Sequence, residues 1–368
     1  MKSYFFFIGT EAELIKVFPV IREMEERKID YYIIASGQND ISDSRVLKAS
    51  NGGRIDIELS KEKDIKKSAV GLVNWYMSTS KNAVKAVRDR FGLSSDKSKQ
   101  SDCIMIVHGD TVSTVMGAYL GKKLGMKVTH IEAGLRSHNW LNPFPEEIDR
   151  MLVSRVADYS FAPGQQAVKN LKGYRGVYDT KVNTLMDSLK YALSVQCENQ
   201  EVNSLADQQY FVFVLHRQEN LENDRLIKML LSRIEILSQK YKCVMILHKI
   251  TEIKFAKMGV LDDFRKNPDY VLLPRVDYFD FMKLLNNSQF VITDGGSNQE
   301  ELSYMGKPAL IVRKTTERNE GLGENAVLWG GKDNVIDDFI CNIEKYKRSL
   351  SIYEGHPSKC IVNIIWDS

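Results

Sequence analysis

The chain is poor in the features that usually announce special chemistry. Its five cysteines, Cys103, Cys197, Cys243, Cys341 and Cys360, are scattered and no two form a CxxC pair. A disulfide framework and structural zinc are therefore not expected. His108, His130, His138, His216, His248 and His356 show neither HExxH nor another metal-ligand spacing, so no metal is expected. There is no Walker A sequence and no GxGxxG fingerprint, so neither ATP nor NAD is implied. No apolar run is long enough to cross a bilayer. A formal net charge of +3 is too small to argue for nucleic acid or a charged membrane surface, and the aromatic residues form no stacking platform for single strands. Low-complexity tracts and repeats of solenoid period are missing too.

What remains is an ordinary globular composition, 43% hydrophobic and 27% charged over 368 residues, enough for two domains with a substantial core in each. The opening "MKSYFFFIGTEAEL" has an apolar part too short for a secretion signal and runs straight into a turn and a patterned helix. It reads as a first strand of a cytoplasmic chain. Apolar runs at 4–8, 31–35, 103–107, 128–131 and 159–162 then alternate with helical patterns. They are continuous rather than alternating, as parallel strands covered on both faces require. Val17, Val20, Ile21 and Met24 follow helical spacing, as do Val112, Val115, Met116, Tyr119 and Leu120. Cys103 and Cys243 fall inside apolar runs, where cysteine is usually a small buried hydrophobe.

A second series, at 211–215, 243–247, 270–273, 290–293 and 309–312, repeats the pattern after a polar stretch at 195–208 that reads as a surface loop. The fold class implied is α/β: two doubly wound, Rossmann-like domains facing a cleft. In such sheets ligands bind beyond the carboxyl ends of the strands. Those ends carry "GTEAELIK", "HGDT" and "EAGLR" in the first half, and "HRQEN", "HK" and "DGGSNQEE" in the second.

Each of these has a bland reading beside the functional one. The turn "DGGSNQEE" leaves the amides of Gly295, Gly296 and Ser297 uncovered at a helix N-terminus, which suits an anion; the bland reading is a plain N-cap with acids in the first turn. Asp110, Glu132 and Glu146 lie at strand ends or in the loop "SHNWLNPFPEEIDR", and acids close enough to interact titrate as a set. Taken singly, each could cap a helix or pair with Arg136, Arg150 or Arg155. His216 with Arg217 can bind a phosphate or protonate a leaving oxygen, or be hydrogen-bonded structure. Residue chemistry alone thus reaches a two-domain α/β enzyme for an anionic ligand.

Six blocks in order carry a resemblance that spans nearly the whole chain: "HGDT" (108–111), "HIEAGLRS" (130–137), "PFPEEIDR" (143–150), "HRQEN" (216–220), "TDGGSNQEE" (293–301) and "GKPALIVRKTTER" (306–318). In these the chain resembles the UDP-N-acetylglucosamine 2-epimerase family, of GT-B fold. The resemblance implies inversion at C2 of UDP-GlcNAc to UDP-ManNAc, or of a modified UDP-HexNAc, without a nicotinamide or metal cofactor, for surface polysaccharide. On that fold the boundary is expected near 172/173, with residues 173–356 as the nucleotide-binding domain and a last helix, 357–368, packed back on the first.

Carried over position by position, Asp110, Glu132 and Glu146 resemble the catalytic acids and His216 the histidine beside the diphosphate. Lys16, Arg136, Arg150 and Arg217 fall among the substrate-binding positions. Gly295, Gly296 and Ser297 would meet the phosphates, Glu301 the ribose hydroxyls and Arg313 the nucleotide. "HRQEN" is more like the non-hydrolysing branch, and Gln38 in "SGQND", with Arg217, resembles a contact to a second, regulatory substrate molecule. A homodimer is implied as well. Departures are Glu11 where the family has arginine in "GTRPEAIK", Asn39 for a histidine, "DGGS" for "DSGG", "TERNE" for "TERPE" and "LHKIT" for "VHLNP". Rival readings are a hydrolysing epimerase, a GT-B glycosyltransferase and a non-catalytic UDP-sugar-binding protein.

Overall fold

The structure, a computed structural model, describes residues 2–60, 69–138, 145–316, 318–349 and 355–367. Residues 139–144, including Pro143 and Phe144 of the third block, lie outside the described residues, as do Glu317 of the last block and Ser368. Two compact units are present, Met1–Ser188 with Glu354–Ser368, and Leu189–Tyr353.

The first unit opens with β1 (Ser3–Ile8), α1 (Glu11–Glu26), β2 (Tyr31–Ala35), α2 (Arg45–Lys48), β3 (Ile57–Glu58) and α3 (Ala69–Phe91). It continues with β4 (Cys103–His108), α4 (Val112–Leu124), β5 (Lys127–Ile131), α5 (Glu146–Val156), β6 (Tyr159–Ala162), α6 (Gln165–Asn170) and β7 (Val177–Asp179). The helix α7 (Leu185–Ser194) contains the division between units. The second unit holds α8 (Gln200–Asn203), β8 (Tyr210–Val214), α9 (Gln218–Leu221), α10 (Asp224–Ser238), β9 (Lys242–Leu247), α11 (Lys249–Lys257), α12 (Leu261–Lys266) and β10 (Tyr270–Pro274). After these come α13 (Tyr278–Asn287), β11 (Val291–Thr293), α14 (Gly296–Met305), β12 (Ala309–Ile311), β13 (Ala326–Leu328) and α15 (Asp333–Cys341). The last helix, α16 (Pro357–Asp367), belongs to the first unit. It lies against α1, its Ser358 amide and hydroxyl donating to Asp187 Oδ2 at 3.0 and 2.6 Å.

Both sheets are parallel. The first runs β3-β2-β1-β4-β5-β6-β7 and the second β10-β9-β8-β11-β12-β13. The chain therefore reverses its direction of winding between β1 and β4, and again between β8 and β11, and these are the two topological switch points where a crevice opens beyond the strand ends. Phe5, Phe6 and Phe7 of β1 are at most 2% exposed, each contributing about 1.5–3 kcal/mol relative to an exposed side chain. On one face Phe5 and Phe7 pack with Met105, Val107, Val115, Met116 and Leu120. In the second unit Phe211, Phe213, Phe290 and Ile292 form the corresponding centre. Cys103 and Cys243 are buried there as expected.

Every strand expected from the sequence is present within a residue or two of its ends, and three short ones were missed. β3, β7 and β13 have two or three residues each and sit at or next to sheet edges, where too few apolar residues are needed to make a pattern. The stretch 195–208 is not simply a surface loop. It contains α8, with Asn199 as its N-cap, and buries Val202 and Leu205.

Candidate functional site

At the first switch point the turn after β1 is a capping box: Thr10 caps α1 and Glu13 reaches back to the turn. Glu13 accepts from the amides of Gly9 (2.5 Å) and Thr10 (3.2 Å), and from the Thr111 hydroxyl at the start of α4. It thus ties the end of β1 to the end of β4. Burial, with Asp110 nearby, lifts the Glu13 carboxyl to about 7 against the pull of those hydrogen bonds.

One turn further along α1, Lys16 reaches Glu132 at the end of β5. Its Nζ lies 2.5 Å from Glu132 Oε2, and His108 Nε2 lies 2.9 Å from the same oxygen. All three side chains are buried. Burial lowers the His108 pKa, and Glu132 opposes that shift. Glu132 itself has φ +64°, the left-handed region that costs a non-glycine residue roughly 1–3 kcal/mol and that clusters at functional sites. His130 Nε2, 2.8 Å from Gly109 O, links β5 to the turn after β4, and burial drives its pKa down to about 4.

Asp110 and Glu146 enter through α5. Arg150 Nη2 lies 2.5 Å from Asp110 Oδ2 and its Nη1 lies 3.6 Å from Glu147 Oε2. Glu147, fully buried, also accepts from Arg136 Nε (2.6 Å) and the Ser137 amide (3.0 Å). Burial pulls Glu147 upward, but Ser137, Arg136 and Arg150 outweigh it and hold the carboxyl below its usual range. Arg136 and Arg150 are therefore engaged by carboxylates; the bland reading holds for Asp110 with Arg150, whereas Arg136 pairs with Glu147 and Glu132 with Lys16. Glu146 is half-buried, and its Oε2 accepts no hydrogen bond among the described residues. Gln38 is likewise occupied, its Oε1 accepting from the Ser113 amide and hydroxyl at 3.3 and 2.6 Å.

The second switch point is organised by a residue to which the sequence gave no role. Asp294, fully buried at the end of β11, accepts from the amides of His216 (3.1 Å) and Arg217 (2.9 Å) and from Asn220 Nδ2 (3.0 Å). His216 Nδ1 is 3.1 Å from its Oδ1. Burial pulls the Asp294 carboxyl up, but His216, Arg217 and Asn220 hold it below the usual range. Arg217 Nε donates to Asp294 O at 3.0 Å. The His216 ring stacks on His248, centroids 4.9 Å apart; burial lowers the His248 pKa, and His216 and Arg275 lower it further.

The bland reading of "DGGSNQEE" fails in detail. The N-cap of α14 is Gly295, with no side-chain cap and no acid in the first turn. A Cβ on Gly295 would fall 2.4 Å from Asn298 Oδ1, so a larger residue here would displace the Asn298 side chain. Without a capping side chain, the first amides of α14, beginning at Gly296 and Ser297, keep their anion-binding character. Glu301, buried, takes Asn298 Nδ2 at 3.1 Å. Glu300 pairs with Arg318 and accepts from Tyr304 Oη at 2.9 Å. Gln299 donates to the carbonyls of Arg318 and Glu320 at 3.1 and 3.0 Å, so α14 holds the segment after Arg313. Arg313 follows β12 and is half-buried.

The structure thus gathers Lys16, Asp110, Glu132 and Arg150 at one switch point, and His216, Arg217, Gly295 and Asp294 at the other. Glu13, His130, Asp149, Asp294, Asn220 and Gln299 were not singled out from sequence. Glu13 had a local signal, the Thr-x-x-Glu spacing of a capping box; the other five lie inside the six blocks, where no role was assigned to them.

Two doubly wound parallel α/β units, one with an acid-rich switch point and one with a His–Asp pair beside an uncapped helix start, define an enzyme class that handles anionic, nucleotide-like substrates. Comparison with known proteins narrows this. The model of the UDP-N-acetylglucosamine 2-epimerase family matches residues 22–365, and the chain belongs to that family of carbohydrate-acting enzymes. It is 29% identical to a UDP-N-acetylglucosamine 2-epimerase of Methanococcus maripaludis, across 98% of this chain and 97% of that one. It is 28% identical to the Bacillus subtilis enzyme of the same name, across 96% and 92%. Among solved structures, the Neisseria meningitidis enzyme bound to UDP-GlcNAc has a TM-score of 0.78 at 26% identity, with both chains fully covered. The Methanocaldococcus jannaschii enzyme in complex with UDP-GlcNAc and UDP gives 0.76 at 25% identity, again over both full chains. The fold is that of these GT-B epimerases.

Proposed function

We infer that the chain is a UDP-N-acetylglucosamine 2-epimerase that interconverts UDP-GlcNAc and UDP-ManNAc by elimination and re-addition of UDP. The observation that carries this is the presence, in one chain of this family, of an acid set at β4 and β5 and of a His–Asp pair and open helix start at β8 and β11. C2 of the sugar has no adjacent carbonyl, so its proton leaves only as another bond breaks. A carboxylate takes the C2 proton while the C1–O bond breaks and its electron pair leaves with UDP; the result is a glycal. UDP then re-adds at C1 and a proton returns to C2 on the opposite face.

Asp110, Glu132 and Glu146 are the catalytic acids, with Asp110 and Glu146 the groups for proton transfer. Asp110, the more exposed of the two ion-paired acids, suits a carboxylate that must meet substrate; Glu132, locked by Lys16 and His108, suits a fixed charge. His216 is the proton donor beside the leaving diphosphate, held by Asp294. The amides of Gly295, Gly296 and Ser297 take the phosphates with Arg217 and Arg313, and Glu301 takes the ribose hydroxyls. Gln38 touches a second substrate molecule only if its Ser113 contacts give way. The non-hydrolysing course is favoured by "HRQEN", and a homodimer is part of the same reading. Met77 on α3, 54% exposed, is an apolar side chain that a second copy could cover. Among the described residues no helix is long and apolar enough to cross a membrane.

The test is proton NMR of UDP-GlcNAc with the pure protein in deuterated water. Deuterium at C2 in a mixture of UDP-GlcNAc and UDP-ManNAc is the expected result. Free ManNAc with UDP would assign the hydrolysing course, and an unchanged spectrum would remove UDP-GlcNAc as substrate. Asp110→Asn should abolish exchange while UDP still binds, read by calorimetry.

A further inference from the structure

Asp149 has no part in the reading above, yet its surroundings accommodate a charge poorly. It lies on α5 between Ile148 and Arg150, is 7% exposed, and its Oδ2 accepts no hydrogen bond among the described residues. Arg150, the cation next to it in the chain, is turned to Asp110 and Glu147. Residues three apart on a helix share a side, and Glu146, one turn back, has its own buried oxygen without a hydrogen-bond partner. From the turn after β4, Asp110 adds a like charge, and the Tyr76 hydroxyl of α3 is near enough for the Asp149 charge to help raise its pKa. A charged carboxylate so placed would lose hydration at Oδ2 and gain there neither a donor nor a cation among the described residues, an arrangement that favours the protonated acid.

We propose that Asp149 is a positioning residue, the proton-holding member of a carboxyl set with Asp110 and Glu146. By staying neutral it keeps one negative charge out of the set and so fixes the proton affinity of the groups that exchange the C2 proton. The proposal rests on the epimerase reading for its purpose, but not for its first observable. Burial, then Asp110 and Glu146, raise the Asp149 pKa to about 7, so the charge state changes within the working range. Interacting acids titrate together, and loss of the Asp149 proton must be felt at Asp110.

The experiment is a carboxyl-carbon NMR titration of the full-length protein labelled at aspartate, without substrate, in wild type and Asp149→Asn. One resonance titrating near pH 7 in wild type and lost in the variant is expected, with a second inflection at the same pH on the Asp110 resonance that also disappears. Turnover of UDP-GlcNAc should show an inflection near pH 7 in wild type that is lost in Asp149→Asn; a merely structural role would lower kcat without changing the profile. An Asp149 resonance titrating in the ordinary carboxylate range, or superimposable pH profiles, would overturn the proposal. If Asp149→Asn fails to fold, the wild-type titration still decides whether any aspartate holds its proton to neutral pH. If UDP-GlcNAc is not turned over at all, the epimerase reading fails while the titration stands as a separate result.

Discussion

Asp294 shows how one buried carboxylate can set a whole strand end. It receives two backbone amides, an asparagine and a histidine, so its charge is matched on every side and the orientation of His216 follows from it. Asp294→Asn keeps the shape but turns an acceptor into a donor towards groups that already donate. Hydrogen bonds to a charged group are each worth about 1.5–3 kcal/mol, so a loss of that order is expected, read as a lower melting temperature. Turnover should fall together with it, because His216 loses the partner that fixes its ring. Glu11 is the opposite case. The family has arginine there, and an anion beside a diphosphate would be repulsive. Here its Oε1 accepts from Ser44 Oγ at 2.7 Å, and as the first residue of α1 it sits where the helix dipole favours an acid.

At the scale of elements, the motif "EAGLR" is a backbone device before it is a chemical one. Glu132 and Gly134 both have positive φ, +64° and +83°, and they turn the chain sharply as it leaves β5. A Cβ on Gly134 would lie 2.3 Å from the Ala167 carbonyl oxygen in α6. Gly134→Ala therefore combines a left-handed alanine with a backbone clash. The expected cost is about 3–4 kcal/mol, measured as a shift in the denaturation midpoint. Activity should fall further than stability alone explains, since the same turn aims Glu132 at Lys16 and His108.

For the whole molecule, the shifted acids and histidines give opposing pH dependences. Glu13 and Asp149 are raised to about 7 from 4.5 and 3.8. The native chain therefore holds protons that the unfolded chain has released, and stability falls as pH rises towards 7. His130, lowered to about 4 from 6.5, works the other way: the native chain binds fewer protons below 6.5, so stability is lost as pH falls through that window. Asp294 and Glu147, held below their usual range, add to the loss in acid. Asp149→Asn removes one contribution on the alkaline side. The melting temperature of the variant relative to wild type should thus be more favourable near pH 8 than near pH 5, by scanning calorimetry. An equal difference at both values would mean that Asp149 is charged throughout.

The sequence by itself determined the class of fold, two parallel sheets read from two series of apolar runs, because strands buried on both faces leave an unbroken apolar signature. It also located the chemistry at the strand ends, since polar residues interrupt those runs only there. Ordered blocks carried the family. Only the tertiary structure decided which acids meet which cations: Lys16 reaches Glu132 across 116 residues, and Asp294 gathers groups 74–78 positions away. It alone showed that Glu147 rather than Glu146 takes Arg136, and that Asp149 Oδ2 is buried with no hydrogen-bond partner among the described residues. The physical reason is that burial and charge partnership are properties of the packed strand ends, whereas periodicity along the chain reports only which face of an element is covered.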